Sequence, residues 1–180
     1  MASGDAMNAG SAKRPPGGDS HAGAEENPGP LPAAVHASAL VIGESGVLIR
    51  GKSGAGKSSL VMALLDAASR RHLFARLVAD DRVQLHVAGD RLLASPHPAI
   101  SGLIEERGAG ILSRDFEASA RIACVVDLLP EMGASVPARL PELSELTTNI
   151  GEIPLRRIVL PAGMPSETAA RRILAIFTDG

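Results

Sequence analysis

The sequence predicts a mixed α/β fold, and three observations predict it. Short apolar runs of strand length recur along the chain, two segments carry apolar residues at helical spacing, and a glycine-rich loop at Gly51–Ser58 joins the last residues of a strand to the first of a helix. With 180 residues the chain is long enough for one domain with a real core.

Residues 1–30 contain no Leu, Ile, Val or Phe and are rich in Gly, Ala, Pro and Ser. Such a stretch cannot bury enough apolar surface to offset its ordering entropy, so a disordered leader is expected there and the folded domain over 31–180. Ala39–Ile42 and Val47–Arg50 read as strands around a turn at Gly43–Gly46. A helix is expected from about Ser58, with Leu60, Val61, Leu64, Leu65 and Ala68 on its apolar face. Arg70, Arg71 and His72 fall where its last turn would end, a position that favours positive charge. Arg76–Ala79 is a further strand ending at Asp80-Asp81. Val83, Leu85 and Val87 alternate with polar or small residues, and Gly89-Asp90 marks a hairpin into Leu92-Leu93. Ile122–Leu129 reads as a buried strand, 130–150 as loop and Arg157–Leu160 as a last strand. Ser166 is placed to cap a final helix carrying Ile173, Leu174 and Phe177.

Composition excludes several functional classes. Aromatic residues make up 2% of the chain, with no Trp or Tyr, which removes the stacking platforms that single-stranded nucleic acid needs. Net charge is −2, and outside the leader acids and bases balance, so there is no broad basic field for nucleic acid. One cysteine, Cys124, excludes an internal disulfide and reads as a buried thiol. His21, His72, His86 and His97 show no metal-ligand spacing. No apolar run approaches the roughly 20 residues that span a bilayer, and no signal-like segment opens the chain, so a cytoplasmic location without membrane contact is expected.

The chemistry is concentrated at Gly51-Lys52-Ser53-Gly54-Ala55-Gly56-Lys57-Ser58, followed by Ser59. The pattern of Gly, four residues, Gly, Lys and Ser is that of a phosphate loop (P-loop). Glycines let backbone amides turn inward, and with the positive end of the next helix these form an anion nest. Lys57 can reach the β and γ phosphates of a nucleotide such as ATP, and the Ser58 hydroxyl can ligate Mg²⁺. Asp80-Asp81 ends a strand downstream, where a carboxylate can hold the metal or take a proton from a nucleophile. Glu105-Glu106-Arg107-Gly108-Ala109-Gly110 fits either a metal and phosphate contact or an exposed charged turn. His36, just before the first strand, has no assigned chemistry from pattern alone.

Taken in order, His36 fifteen positions before Gly51, the phosphate loop, Leu77–Val83 and Leu103–Ile111 resemble the catalytic domain of bacterial HPr kinase/phosphorylase over about residues 35–160. The last segment is similar to the family signature of an acid, a variable residue and Arg-Gly-x-Gly-Ile. The resemblance implies a P-loop-containing mixed-sheet kinase domain related to phosphoenolpyruvate carboxykinase, using ATP and Mg²⁺ to phosphorylate a serine of an HPr-like phosphocarrier. It implies phosphate binding by Lys57 and the loop amides, metal binding by Ser58, Asp81 and Glu105, and a catalytic base at Asp80 paired with His36. It places Arg107 at the signature loop to stabilise charge, and it implies a homo-oligomer. The chain resembles short members that consist of the catalytic domain alone. Two departures stand out: Glu106 replaces a commonly apolar residue, and Pro161-Ala162-Gly163-Met164-Pro165 lacks an arginine that the family often carries there. The resemblance therefore bears on the kinase direction more fully than on the reverse phosphorolysis. Two other readings stay open at this point, a P-loop kinase for a small metabolite and a nucleotide-sensing module without phosphotransfer.

Overall fold

A computed structural model describes residues 34–106, 108–130 and 146–178. The leader expected over 1–30 and most of the loop expected over 130–150 lie outside the described residues, and so does Arg107.

The described chain opens with an antiparallel hairpin, β1 (Ala37–Ile42) and β2 (Ser45–Gly51), and β2 runs through the glycine-rich loop into α1 (Lys57–Arg70). Next come β3 (Ala75–Ala79), the hairpin β4 (Val83–Ala88) and β5 (Arg91–Pro96), and a short 3₁₀ turn at Pro98–Ile100. A small hairpin of its own follows, β6 (Leu103–Glu106) and β7 (Gly110–Ser113). The long strand β8 (Ala120–Leu129), then β9 (Thr147–Ile150), β10 (Ile153–Pro161) and α2 (Ser166–Thr178) complete it.

The main sheet runs β3-β1-β2-β8-β10-β9, with the β4–β5 hairpin joined through β5 to the start of β8. Its centre is parallel, β8 lying between β2 and β10, while the remaining pairs are antiparallel. This is the mixed sheet that the pattern of elements predicts.

Strand alternation sorts the core onto two sides of this sheet. In β2, Val47 and Ile49 pack with Leu60, Val61 and Leu64 of α1 and with Ile173 and Leu174 of α2. Leu48 points the other way, into a second core with Val83, Leu85 and Leu92 of the β4–β5 hairpin and with Ile153 and Leu155 of β10. Each fully buried leucine of this kind contributes about 2 kcal/mol. In β8 the parity switches along the strand. Ile122 and Val125 both face the second core because the pairing with β2 slips by one residue between Gly46↔Ile122 and Val47↔Cys124, a bulge that turns the rest of the strand over. Cys124 is buried, and burial pushes its thiol up to about 11, as suits an inert core residue.

Three boundaries differ from the sequence expectation. The last strand begins at Ile153 rather than Arg157, and Thr147–Ile150, within the expected loop, pairs with it as β9. Gly151, at φ 60, makes the turn, and burial of Ile150, Ile153 and Leu155 holds the hairpin to the sheet. The charged segment around Glu105 is the β6–β7 hairpin rather than a plain turn. Ser166 is the first helical residue of α2 rather than its cap. Pro165 precedes it, and its carbonyl accepts from the Thr168 and Ala169 amides to open the first helical turn.

Because β1 runs antiparallel to both β2 and β3, its start lies beside their ends. His36, the glycine-rich loop and Asp80-Asp81 are thereby brought to one edge of the sheet.

Candidate active site

The loop between β2 and α1 takes its shape from its glycines. Gly54 and Gly56 have φ of 77° and 92°, in the left-handed region that L side chains rarely adopt. A Cβ at either would meet nothing within 4 Å among the described residues, so the constraint is backbone conformation and not space. Gly56 occupies the N-cap position of α1, no side chain among the described residues caps the helix, and the first turn carries no acid. The amides of that turn, and the positive end of the helix, are therefore directed at whatever anion enters the loop.

Lys57 is 6% exposed and lies across the loop it follows. Its Nζ donates to the carbonyls of Gly51 at 3.1 Å and Lys52 at 3.2 Å, and it lies 2.9 Å from His36 Nε2. On the other side of the ring, His36 Nδ1 is 2.8 Å from Asp81 Oδ1. A neutral imidazole with its proton on Nδ1 satisfies both contacts, donating to the carboxylate and accepting from the ammonium. Burial lowers the Lys57 pKa below its ordinary 10.5, while Asp81 and Asp80 pull the other way.

The two adjacent acids face different partners. Asp80 is 5% exposed, and its carboxylate gathers donors from three elements. The Ser58 hydroxyl of α1 lies 3.1 Å from Oδ1 and 2.9 Å from Oδ2, the Ser38 hydroxyl of β1 makes a short contact to Oδ1, and the Glu105 amide of β6 donates to Oδ2 at 3.3 Å. Asp81, at φ 65, has a side chain 67% exposed that turns to His36. The implied pairing of His36 with Asp80 is thus not what the geometry contains. Asp80 continues the strand direction inward toward the helix, and the left-handed backbone at Asp81 swings its carboxylate to the histidine instead.

His36, Ser53, Gly54, Gly56, Lys57, Ser58, Ser59, Asp80, Asp81 and Glu105 line one open cleft of about 300 Å³. Of the other expected loop residues, Gly51 and Lys52 contribute the carbonyls that hold Lys57, and Ala55 packs against the core beneath. The position of Arg107 lies outside the described residues. Sequence reasoning missed Ser38, whose only signal is a hydroxyl inside the otherwise apolar run of β1.

The residues present fit magnesium. Ser58 donates its proton to Asp80, which leaves the lone pairs of its oxygen for a cation, and the nearby carboxylates offer only oxygen. His36 has both nitrogens engaged. Among the described residues no three acidic, His or Cys side chains form a ready-made cage. Magnesium needs none, since one or two protein ligands, waters and substrate phosphates complete its octahedron.

With this geometry in view, the comparisons with known proteins converge. The family profile described as HPr Serine kinase C-terminal domain matches residues 31–170. The chain belongs to this family. Similar curated members are the HPr kinase/phosphorylases of Nitrosomonas europaea, 36% identical over 74% of this chain and 41% of that protein, and of Bordetella pertussis, 31% identical over 81% and 46%. The protein of the same name from Mycoplasma mycoides is 43% identical over 42% of this chain. The chain thus spans less than half the length of these relatives. A solved structure of the Hpr(Ser) kinase/phosphatase from Coxiella burnetii matches with a TM-score of 0.64 and 26% identity, over 81% of this chain and 88% of that one. The kinase family's P-loop fold is therefore that of this chain. Among the described residues no helix is long and apolar enough to cross a membrane.

Proposed function

We propose that this chain is a Mg-ATP-dependent protein serine kinase domain that phosphorylates an HPr-like phosphocarrier protein. The observation that carries the proposal is the division of the acid pair: one carboxylate is buried behind the Ser58 hydroxyl, and its neighbour is exposed in the cleft beside Lys57 and His36. That is the arrangement a phosphotransfer site needs, with one acid on the metal side and one free to face the incoming nucleophile.

In this reading the loop amides and Lys57 hold the β and γ phosphates of ATP. The Lys57 ammonium exchanges its contacts with the Gly51 and Lys52 carbonyls for phosphate oxygens. Ser58 and Glu105 hold magnesium, with Asp80 orienting Ser58. Held by these residues, magnesium would supply positive charge to offset the negative charge that develops during transfer. Asp81 accepts the proton of the attacking serine, and His36 fixes the direction of its carboxylate. The geometry therefore favours exchanging the roles that the resemblance assigned to Asp80 and Asp81. Ser53, Gly54 and Ser59 line the phosphate end of the cleft, and by the family resemblance Arg107 stabilises charge. The relatives named kinase/phosphorylase support a reverse reaction at the same site, in which Asp81 returns its proton to the serine oxygen. A cytoplasmic location and a homo-oligomeric state complete the proposal.

Incubating the protein with labelled ATP, Mg²⁺ and candidate HPr proteins, then looking for phosphoserine, tests it directly. Metal-dependent label on a serine of HPr is the expected result. ATP binding with no transfer to any HPr would leave a nucleotide-sensing module in its place.

A further inference from the structure

Ser38 is fully buried near the start of an apolar strand, between Ala37 and Ala39. A buried serine in a strand or helix commonly satisfies itself on nearby backbone. This one instead spends its single proton on a carboxylate 42 residues away, Asp80 Oδ1. Strand alternation explains how it reaches. Ser38 shares the side of β1 that carries Leu40 and Ile42 toward α1, so its hydroxyl faces the end of β3 and the first turn of that helix.

We propose that Ser38 is a positioning residue for this site: its hydroxyl locks the Asp80 carboxylate in the orientation that receives Ser58 and so pre-sets Ser58 for a divalent cation. The proposal rests on the reading of Ser58 as a metal ligand. The terminal torsion of an aspartate is broad and needs outside partners to fix it. Ser58 cannot serve as that partner, because its own hydroxyl is a rotor whose direction is the quantity to be set. The Glu105 amide, at 3.3 Å, is a long contact from the separate β6–β7 hairpin. Among the described residues, Ser38 is the one donor to Asp80 that is fully buried and stands on the central sheet.

The test measures ATP affinity by calorimetry across a magnesium series and again in chelator, for wild type, Ser38→Ala, Ser38→Thr, Asp80→Asn and the Ser38→Ala/Asp80→Asn double variant, with melting temperatures alongside. Ser38→Ala is expected to raise the magnesium concentration at half-effect about tenfold, the scale of a lost hydrogen bond to a charged group. ATP affinity in chelator should stay within twofold, because the loop amides and Lys57 are untouched. Ser38→Thr keeps the hydroxyl and should restore the wild-type value. In the Asp80→Asn background Ser38→Ala should add little, since its partner carboxylate is gone. If Ser38→Ala unfolds, Ser38→Cys, which keeps the volume with only a weak donor, takes its place with the same expected shift.

A magnesium half-point within twofold of wild type overturns the proposal. So does an equal loss of affinity in chelator, a threonine that fails to restore, or a full additive effect on top of Asp80→Asn. If wild-type ATP binding shows no response to magnesium at all, the reading of Ser58 as a metal ligand has failed first, and the proposal falls with it.

Discussion

Asp80 and Asp81 are chemically identical neighbours, and one backbone torsion separates their work. The Arg82 amide donates to the Asp80 carbonyl at 2.7 Å, closing a tight turn in which Asp81 sits at φ 65. A bond across three residues about a positive φ is the rare, strained form of γ-turn, so the contacts of the two carboxylates offset a real conformational cost. Asp81→Asn is expected to slow single-turnover transfer to HPr by roughly 10²–10⁴-fold, the range for loss of a general base, with ATP binding retained. Near-normal transfer by that variant would return the base role to Asp80 or dispense with a base. Lys57→Ala should abolish transfer and weaken ATP binding sharply, because it removes the ammonium at the centre of the loop. Calorimetry with unchanged affinity would sink the P-loop reading itself. Motif spacing marks the lysine and the strand end marks the acid pair, whereas the pairing of His36 with Asp80 came only from the family resemblance, and the structure sets His36 against Asp81. A positive φ at a non-glycine residue leaves no mark in the sequence, and Ser38 left only a hydroxyl in an apolar strand.

At the scale of elements, legibility follows how strongly local pattern and burial agree. α1 begins at Lys57, within one residue of expectation, because a glycine-rich start and a run of leucines at helical spacing point the same way. The β4–β5 hairpin was legible from alternation around Gly89-Asp90. The β9–β10 hairpin was hidden. Pro154 interrupts an apolar run, and Thr147-Thr148-Asn149 lacks an apolar signal. Tertiary burial of Ile150, Ile153 and Leu155 then decides in favour of strands. The β6–β7 hairpin was masked by charge, since Glu105 and Glu106 read as a turn. Its placement bears on the site, because β6 brings the Glu105 amide to Asp80 and sets Glu105 in the lining of the cleft. Those two contributions can be separated. Glu105→Gln keeps the amide and the shape but removes the charge, so the magnesium concentration for half-maximal transfer should rise while HPr binding persists. Unchanged metal dependence would confine Glu105 to a structural role in the hairpin.

Across the whole molecule, the parallel centre of the sheet is tied together by one buried carboxylate away from the cleft. Asp127 of β8 is 5% exposed. It accepts from Arg50 of β2 through Nε at 2.7 Å and Nη2 at 2.9 Å, and from Arg157 of β10 through Nε at 2.7 Å. Arg50 is the residue immediately before the phosphate loop, so this cluster fixes the strand end from which the loop springs. Burial alone would raise the Asp127 pKa, but the hydrogen bonds and charges of Arg50 and Arg157 outweigh it and hold the carboxyl below its ordinary 3.8. A depressed folded-state value has a definite sign. The carboxylate's contribution is fully present above the unfolded value near 3.8 and is lost as pH falls through the lower folded value. Asp127→Asn should therefore cost about 1–3 kcal/mol at neutral pH, the scale of charged hydrogen bonds whose arginines stay partly solvated. Denaturant unfolding at a series of pH values checks this. The gap between wild type and variant should be constant from neutral pH down to about pH 5, within the range where the carboxylate is ionised in both states, and should narrow below pH 4 as the wild type loses what the variant never had. A gap that stays the same through the acid limb would mean that Asp127 stabilises the sheet by shape and neutral hydrogen bonding, and that its charge contributes nothing to holding β2, β8 and β10 in register.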